Sequence, residues 1–139
     1  MSVQDRCARE IERLHDFFTN WFNGELEQTD EQFRQFDSVI ADGFVLIDIH
    51  AARIARDELA ESIWKHWGHP ADEGKTMAIE TDEVRVLHSA DDLHLATYVE
   101  RQRAGDESNA RRSTVLFRES ASAPNGLEWL FVQETPLDE

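Results

Sequence analysis

Asp48 and His50 stand two residues apart in an apolar run, residues 44–50, in phase with Phe44 and Leu46. In a strand, residues i and i+2 share a face. If that face points inward, a carboxylate and an imidazole enter an apolar hollow together. Burial would raise the pKa of Asp48, and the nearby carboxylate would raise that of His50. Such a pair is a candidate general acid–base couple. The plainer reading, a hydrated strand end, is preferred, because charged side chains mostly stay exposed. Tyr98 and Glu100 repeat the spacing, in phase with Ala96. There the preferred reading is a tyrosine packed across a sheet, with Glu100 bridged to Arg101, Arg103, Arg112 or Arg118. A catalytic hollow would use Asp48 and His50 as acid and base and Tyr98 as hydrogen-bond donor.

Other reactive residues form weaker patterns. His66 and His69, with Asp72, have loose metal-ligand spacing, but Gly68 and Pro70 interrupt the segment and no third ligand has a fixed place. Arg101, Arg103, Arg111, Arg112 and Arg118 could hold an anion. Cross-strand pairing with Glu100, Glu119, Glu128 and Glu134 is the preferred reading in so acidic a chain. Cys7, the single cysteine, lies on an apolar helix stripe, which favours packing over reactivity. The sequence has no phosphate-cradling glycine loop, dinucleotide fingerprint or nucleophile elbow, so no cofactor and no metal is expected.

These residues need elements to position them. Cys7, Ile11, Leu14, Phe18, Trp21 and Phe22 recur every three or four positions, the stripe of an amphipathic helix. Ser2 can cap its start and Gly24 can end it. Thr29 and Gln32 form a possible capping box for a second helix, expected to bury Phe33, Phe36 and Ile40 and to end near Asp42 and Gly43. Residues 44–50 read as a strand and residues 56–67 as a third helix. From Met77 onward the period becomes two. Strands are expected over residues 76–88, 93–103, 111–120 and 127–135, joined by turn-rich connections that suit antiparallel hairpins. Helices first and strands last imply an α+β domain, with helices on one face of a curved antiparallel sheet. The loop before Leu127 is the expected mobile segment.

Composition sets the outer limits. At 139 residues and 40% hydrophobic, with four Trp and eight Phe, the chain can bury one core, so one domain over residues 1–139 is expected. A net charge of -15 argues against nucleic acid or an anionic membrane as the main partner. No apolar run is long enough to span a bilayer. A cytoplasmic location is the default expectation.

The chain resembles the nuclear transport factor 2-like superfamily, also called cystatin-like or SnoaL-like. Residues 10–18 look like its opening helix, and residues 44–49 followed by 55–59 look like its strand, turn and helix step. Residues 84–98 look like its central hairpin, and 112–118 with 126–133 like its last. The resemblance implies a cone-shaped sheet wrapped around the helices, with a hollow as the usual ligand site. It places Trp129, Phe131, Gln133 and Thr135 on the inward face, as strand alternation also groups them. Many relatives carry histidines where this chain has Gln133 and Thr135, so binding is expected over proton transfer at this strand. Ketosteroid isomerases of the superfamily bring a pocket tyrosine from the first helix, where this chain has Phe18, Trp21 and Phe22.

The leading expectation is a small-molecule-binding domain with an apolar conical pocket lined by Phe18, Trp21, Leu46, Tyr98, Trp129, Phe131 and Gln133. The alternatives are a cofactor-free isomerase, cyclase or hydratase, and an oligomerisation module. Relatives commonly pair through the outer sheet face. A homodimer is therefore expected through Leu87, Val99, Leu116, Leu130 and Val132.

Overall fold

The computed structural model describes residues 1–69 and 73–138. Helix α1, Val3–Phe22, starts where Ser2 accepts a hydrogen bond from the Asp5 N–H and ends before Gly24, whose φ of +70° only glycine adopts freely. Its buried face holds the expected Cys7, Ile11, Leu14 and Trp21, and also Glu10 and His15. Helix α2, Asp30–Asp37, is capped by Thr29. It stops five residues sooner than expected. Val39 and Ile40 are β-branched and leave the helix for the sheet, where the Val39 carbonyl accepts from the Trp129 N–H at 2.8 Å.

Strand β1, Ile40–Ile47, therefore starts earlier and ends earlier than residues 44–50. Asp48 ends it by accepting the N–H groups of His50 and Ala52 on one oxygen, at 2.9 and 3.0 Å. This turn carries Ala51 at φ 64° and returns the chain as strand β2, Arg53–Ala55, which the sequence did not reveal. Three residues are too few to show a period. Helix α3, Arg56–Lys65, follows without a side-chain cap. Asp72 of the loose histidine grouping lies outside the described residues.

Strands β3 (Met77–Ala90), β4 (Leu93–Ala104), β5 (Glu107–Glu119) and β6 (Leu127–Leu137) form an antiparallel meander. The six-stranded order is β2-β1-β6-β5-β4-β3. The expected α+β cone is present, with one refinement: β1 runs parallel to β6, so the sheet is mixed. The α1 stripe packs with the inward-facing Ala96, Tyr98, Val115, Phe117 and Trp129 in one core. The loop before Leu127 is fastened rather than free. Ser120 and Gly126 bond across its base, Asn125 donates to Glu10, and Arg6 donates to the Asn125 carbonyl. No helix among the described residues is long and apolar enough to cross a membrane.

One register detail decides which residues reach the concave side. Phe117 pairs with Trp129 and Leu116 pairs with Phe131, so Leu130 is an extra residue in β6. A bulge of this kind shifts the side-chain period by one. Past it, Val132 and Glu134 turn inward while Phe131, Gln133 and Thr135 turn outward.

Candidate functional site

A cavity of about 280 Å³ lies between the helices and the concave sheet. Its walls are mostly hydrocarbon, with Leu14 and Phe18 from α1, Phe36 from α2, Leu46 from β1 and Ile63 from α3. One side is polar, formed by His15, Tyr98, Glu100, Gln102, Arg111 and Glu134, with Asp48 nearby. The half-buried members, among them Phe22, Asp48, Ile54 and Gln102, mark the rim; buried Phe44, Tyr98 and Trp129 mark the floor.

Four of these groups form two charge pairs. His15 and Glu100, both buried, meet at 3.1 Å between Nε2 and Oε1. The other ring nitrogen, Nδ1, lies 2.7 Å from the Ile11 carbonyl, which can only accept, so Nδ1 carries a hydrogen. A carboxylate at Nε2 requires a second one. The ring is therefore an imidazolium held between two acceptors. Burial opposes its charge, but Glu100 and the Ile11 carbonyl outweigh burial and raise its pKa. For Glu100 burial again opposes ionisation, and His15, with the Gln102 amide, brings the carboxyl down to about 2. Arg111 and Glu134 form the second pair, looser, with one guanidinium nitrogen 3.3 Å from each carboxylate oxygen. Burial and the charge of Glu100 leave the Glu134 pKa raised despite Arg111. Tyr98 is pushed well above its ordinary value, by burial first and then by the two glutamates, so it stays a neutral phenol. Arg111 Nε and Ser113 Oγ are buried without a hydrogen-bond partner of good geometry among the described residues.

These shifts fix a pH dependence. The raised His15 pKa contributes stability in full below the unfolded value of 6.5 and loses it as pH rises through the folded value. The lowered Glu100 pKa contributes above 4.5 and loses it as pH falls toward 2. The pair thus stabilises most between those two unfolded values. Glu134, harder to ionise when folded, begins to detract as pH rises above 4.5 and moves the maximum toward the acid end. Urea midpoints measured across pH should peak in this window, and Glu100→Gln should flatten the acid limb. An acid limb unchanged by Glu100→Gln would contradict the assignment.

The expected site residues divide. Phe18, Leu46, Trp129 and Tyr98 line the cavity, and Asp48 reaches its rim. Trp21 is fully buried behind the wall, its indole N–H donating to the Ile63 carbonyl at 2.7 Å. Phe131 and Gln133 face away from the cavity because of the bulge at Leu130, and Val132 and Glu134 take the inward places. Asp48 and His50 are joined through the His50 backbone N–H, not their side chains, and the His50 side chain is exposed. Asp48 is held ionised by the turn N–H groups of Ala52 and His50. His15 and Gln102 escaped the sequence reading, whereas the Arg111–Glu134 pair is one of the cross-strand ion pairings it preferred. The position of His15 was visible, since it follows Ile11 by four residues on the same helix face. Its partner on β4 was not.

The fold is that of nuclear transport factor 2-like proteins. A protein of this kind and of unknown function from Pseudomonas aeruginosa superposes with a TM-score of 0.82 at 22% identity, covering 96% of this chain and 99% of that one. A similar protein from Cytophaga hutchinsonii gives 0.69 at 8% identity, covering 99% and 100%. A structure from Thiobacillus denitrificans named for the calcium/calmodulin-dependent protein kinase type II association domain gives 0.65 at 17%, covering 93% of each chain. Among curated proteins none matches this chain. Residues 7–138 match the family described as sucrose-6-phosphate phosphohydrolase C-terminal, and the chain belongs to that family.

Proposed function

We propose that this chain is a small-molecule-binding domain whose ligand occupies the cavity. The observation that carries this reading is an apolar hollow with a polar side whose two cations, His15 and Arg111, are already paired with Glu100 and Glu134. The space is at the lower end of the range for ligand pockets, which suits a ligand of modest size. Binding is favoured over proton transfer because the proton-carrying groups are engaged. Both nitrogens of His15 are taken, the Asp48 carboxylate caps its own turn, and the His50 side chain is exposed. A cofactor-free isomerase, cyclase or hydratase using Asp48, His50 and Tyr98 is the lesser reading.

The family's name makes a sugar phosphate the first ligand to weigh. The cavity's chemistry opposes it. Asp48, Glu100 and Glu134 outnumber His15 and Arg111, and most of the wall cannot hydrogen-bond. A neutral apolar probe is expected to bind instead. In calorimetric titration, 2-phenylethanol should saturate at one site per chain, with a Kd on the order of a millimolar or tighter. Leu46→Trp, which fills the cavity from β1, should abolish this. Equal binding by wild type and Leu46→Trp, or displacement of the probe by sucrose 6-phosphate, would contradict the reading.

A homodimer through the convex face belongs to the same proposal. Val45, Phe131, Leu116 and Leu95 are cross-strand partners in succession and form one apolar row over β1, β6, β5 and β4. All four are half-buried in the single chain. Of the expected surface, Leu116 and Leu130 are half-buried, Leu87 is exposed, Val99 is fully buried and Val132 lines the cavity. Phe131 replaces Val132 as the central residue. An apolar row on an open face calls for cover, and the kinase association domain named above makes assembly a natural use of this fold. Sedimentation at about 50 μM should give a dimer, and Phe131→Glu a monomer that still binds 2-phenylethanol. A monomeric wild type would contradict the pairing.

A further inference from the structure

We propose that the cavity's ligand carries an ammonium group on a small apolar body, with Asp48 and Glu134 as its acceptors; this deepens the binding reading and rests on it. Charges at the cavity nearly cancel by pairs. His15 answers Glu100 across 3.1 Å, and Arg111 answers Glu134. Asp48 is the charge left over. One of its oxygens takes both turn N–H groups, at 2.9 and 3.0 Å, which leaves the other for a donor. The backbone bonds also keep the group ionised.

Glu134 has capacity as well. A single nitrogen of Arg111 spans both its oxygens at 3.3 Å, longer than the 2.7–2.9 Å of a strong charged hydrogen bond. A second donor at Glu134 would meet an under-satisfied acceptor. Arg111 does not repel the incoming cation as a free charge would, because Glu134 and the Asn109 carboxamide oxygen engage it.

The apolar side fits the same ligand. Phe18 and Phe22 stack at the rim, with centroids 6.0 Å apart and planes at 14°. Their faces can meet a methylene chain or the ammonium itself. The chain's charge of -15 draws cations and repels anions before contact. A carboxylate of the same shape would face three carboxylates with both cations occupied.

Three probes of nearly one shape test the proposal: 2-phenylethylamine, 2-phenylethanol and 3-phenylpropionate, titrated calorimetrically into the intact chain at neutral pH and low salt. The amine should bind about tenfold tighter than the alcohol, and the carboxylate weakest. Asp48→Asn keeps an oxygen for the turn and removes the charge. It should bring amine and alcohol within about twofold of each other. If the alcohol binds and the amine gains nothing, or if the gain survives in Asp48→Asn, the ammonium assignment is overturned while the binding reading stands. If none of the three binds, both fall together.

Discussion

Glu100→Ala should cost about 3–5 kcal/mol of folding stability, the range for removing one partner of a buried ion pair. Glu100 and His15 are 4% exposed each, so their charges lie largely out of bulk water. The imidazolium would lose the acceptor at Nε2 and shed its proton, leaving a ring that still donates to Ile11 but faces Tyr98 and the cavity unpaired. Gln102 would lose its acceptor too. Such a loss is a large share of the 5–15 kcal/mol of an ordinary domain. The double variant His15→Leu/Glu100→Leu should recover most of it, since well-packed hydrocarbon often replaces a buried pair at little cost. Urea denaturation of the three proteins decides the matter. A loss under about 1 kcal/mol for Glu100→Ala would show the pair to be solvated or unformed.

Glu10→Ala should cost a similar amount, about 3–5 kcal/mol, for a different reason. Glu10 has no exposed surface, yet four donors converge on its carboxylate. Arg13 supplies two, at 2.9 and 2.8 Å, Asn125 one at 3.0 Å, and the Trp129 indole one at 2.8 Å. This carboxylate joins α1 to the loop before β6 and to the floor of the cavity. Alanine would leave the indole N–H and the carboxamide unsatisfied and Arg13 without its counter-charge. Because Trp129 lines the cavity, its freed ring should also weaken 2-phenylethanol binding. Glu10→Gln keeps one acceptor oxygen and should fall between wild type and alanine. Stability of Glu10→Ala within about 1 kcal/mol of wild type would mean that the four bonds contribute little net energy.

The helical stripe of α1, the capping Ser2 and Thr29, and the alternation of β4 could be read in the sequence because each rests on local spacing. Ala96, Tyr98 and Glu100 do share the concave face, as their spacing required. The site was only half legible because its partners meet across elements. His15 finds Glu100 at a separation of 85 residues, and Glu10 finds Trp129 at 119. No local period encodes such a meeting. The bulge at Leu130 caused the largest miss. Unbroken alternation sends Phe131 and Gln133 inward, and one extra residue reverses them. For Asp48 and His50 the preferred reading, a strand end, agrees with the structure, and only the bounds of the strand differ. The strand was carried three residues too far, and the Asx-type turn that Asp48 makes was the competing local structure.

The central claim is that the concave cavity, with its polar side, is where this protein binds a small molecule. Backbone and side-chain ¹H–¹⁵N spectra recorded during titration with 2-phenylethanol test it most directly. The account predicts saturable shifts at Tyr98, at the Gln102 carboxamide and at the Trp129 indole, which line or rim the cavity, with the Trp67 indole unmoved on its bond to Leu26. Shifts confined to the convex row around Phe131, or no saturable shift at all, would contradict it.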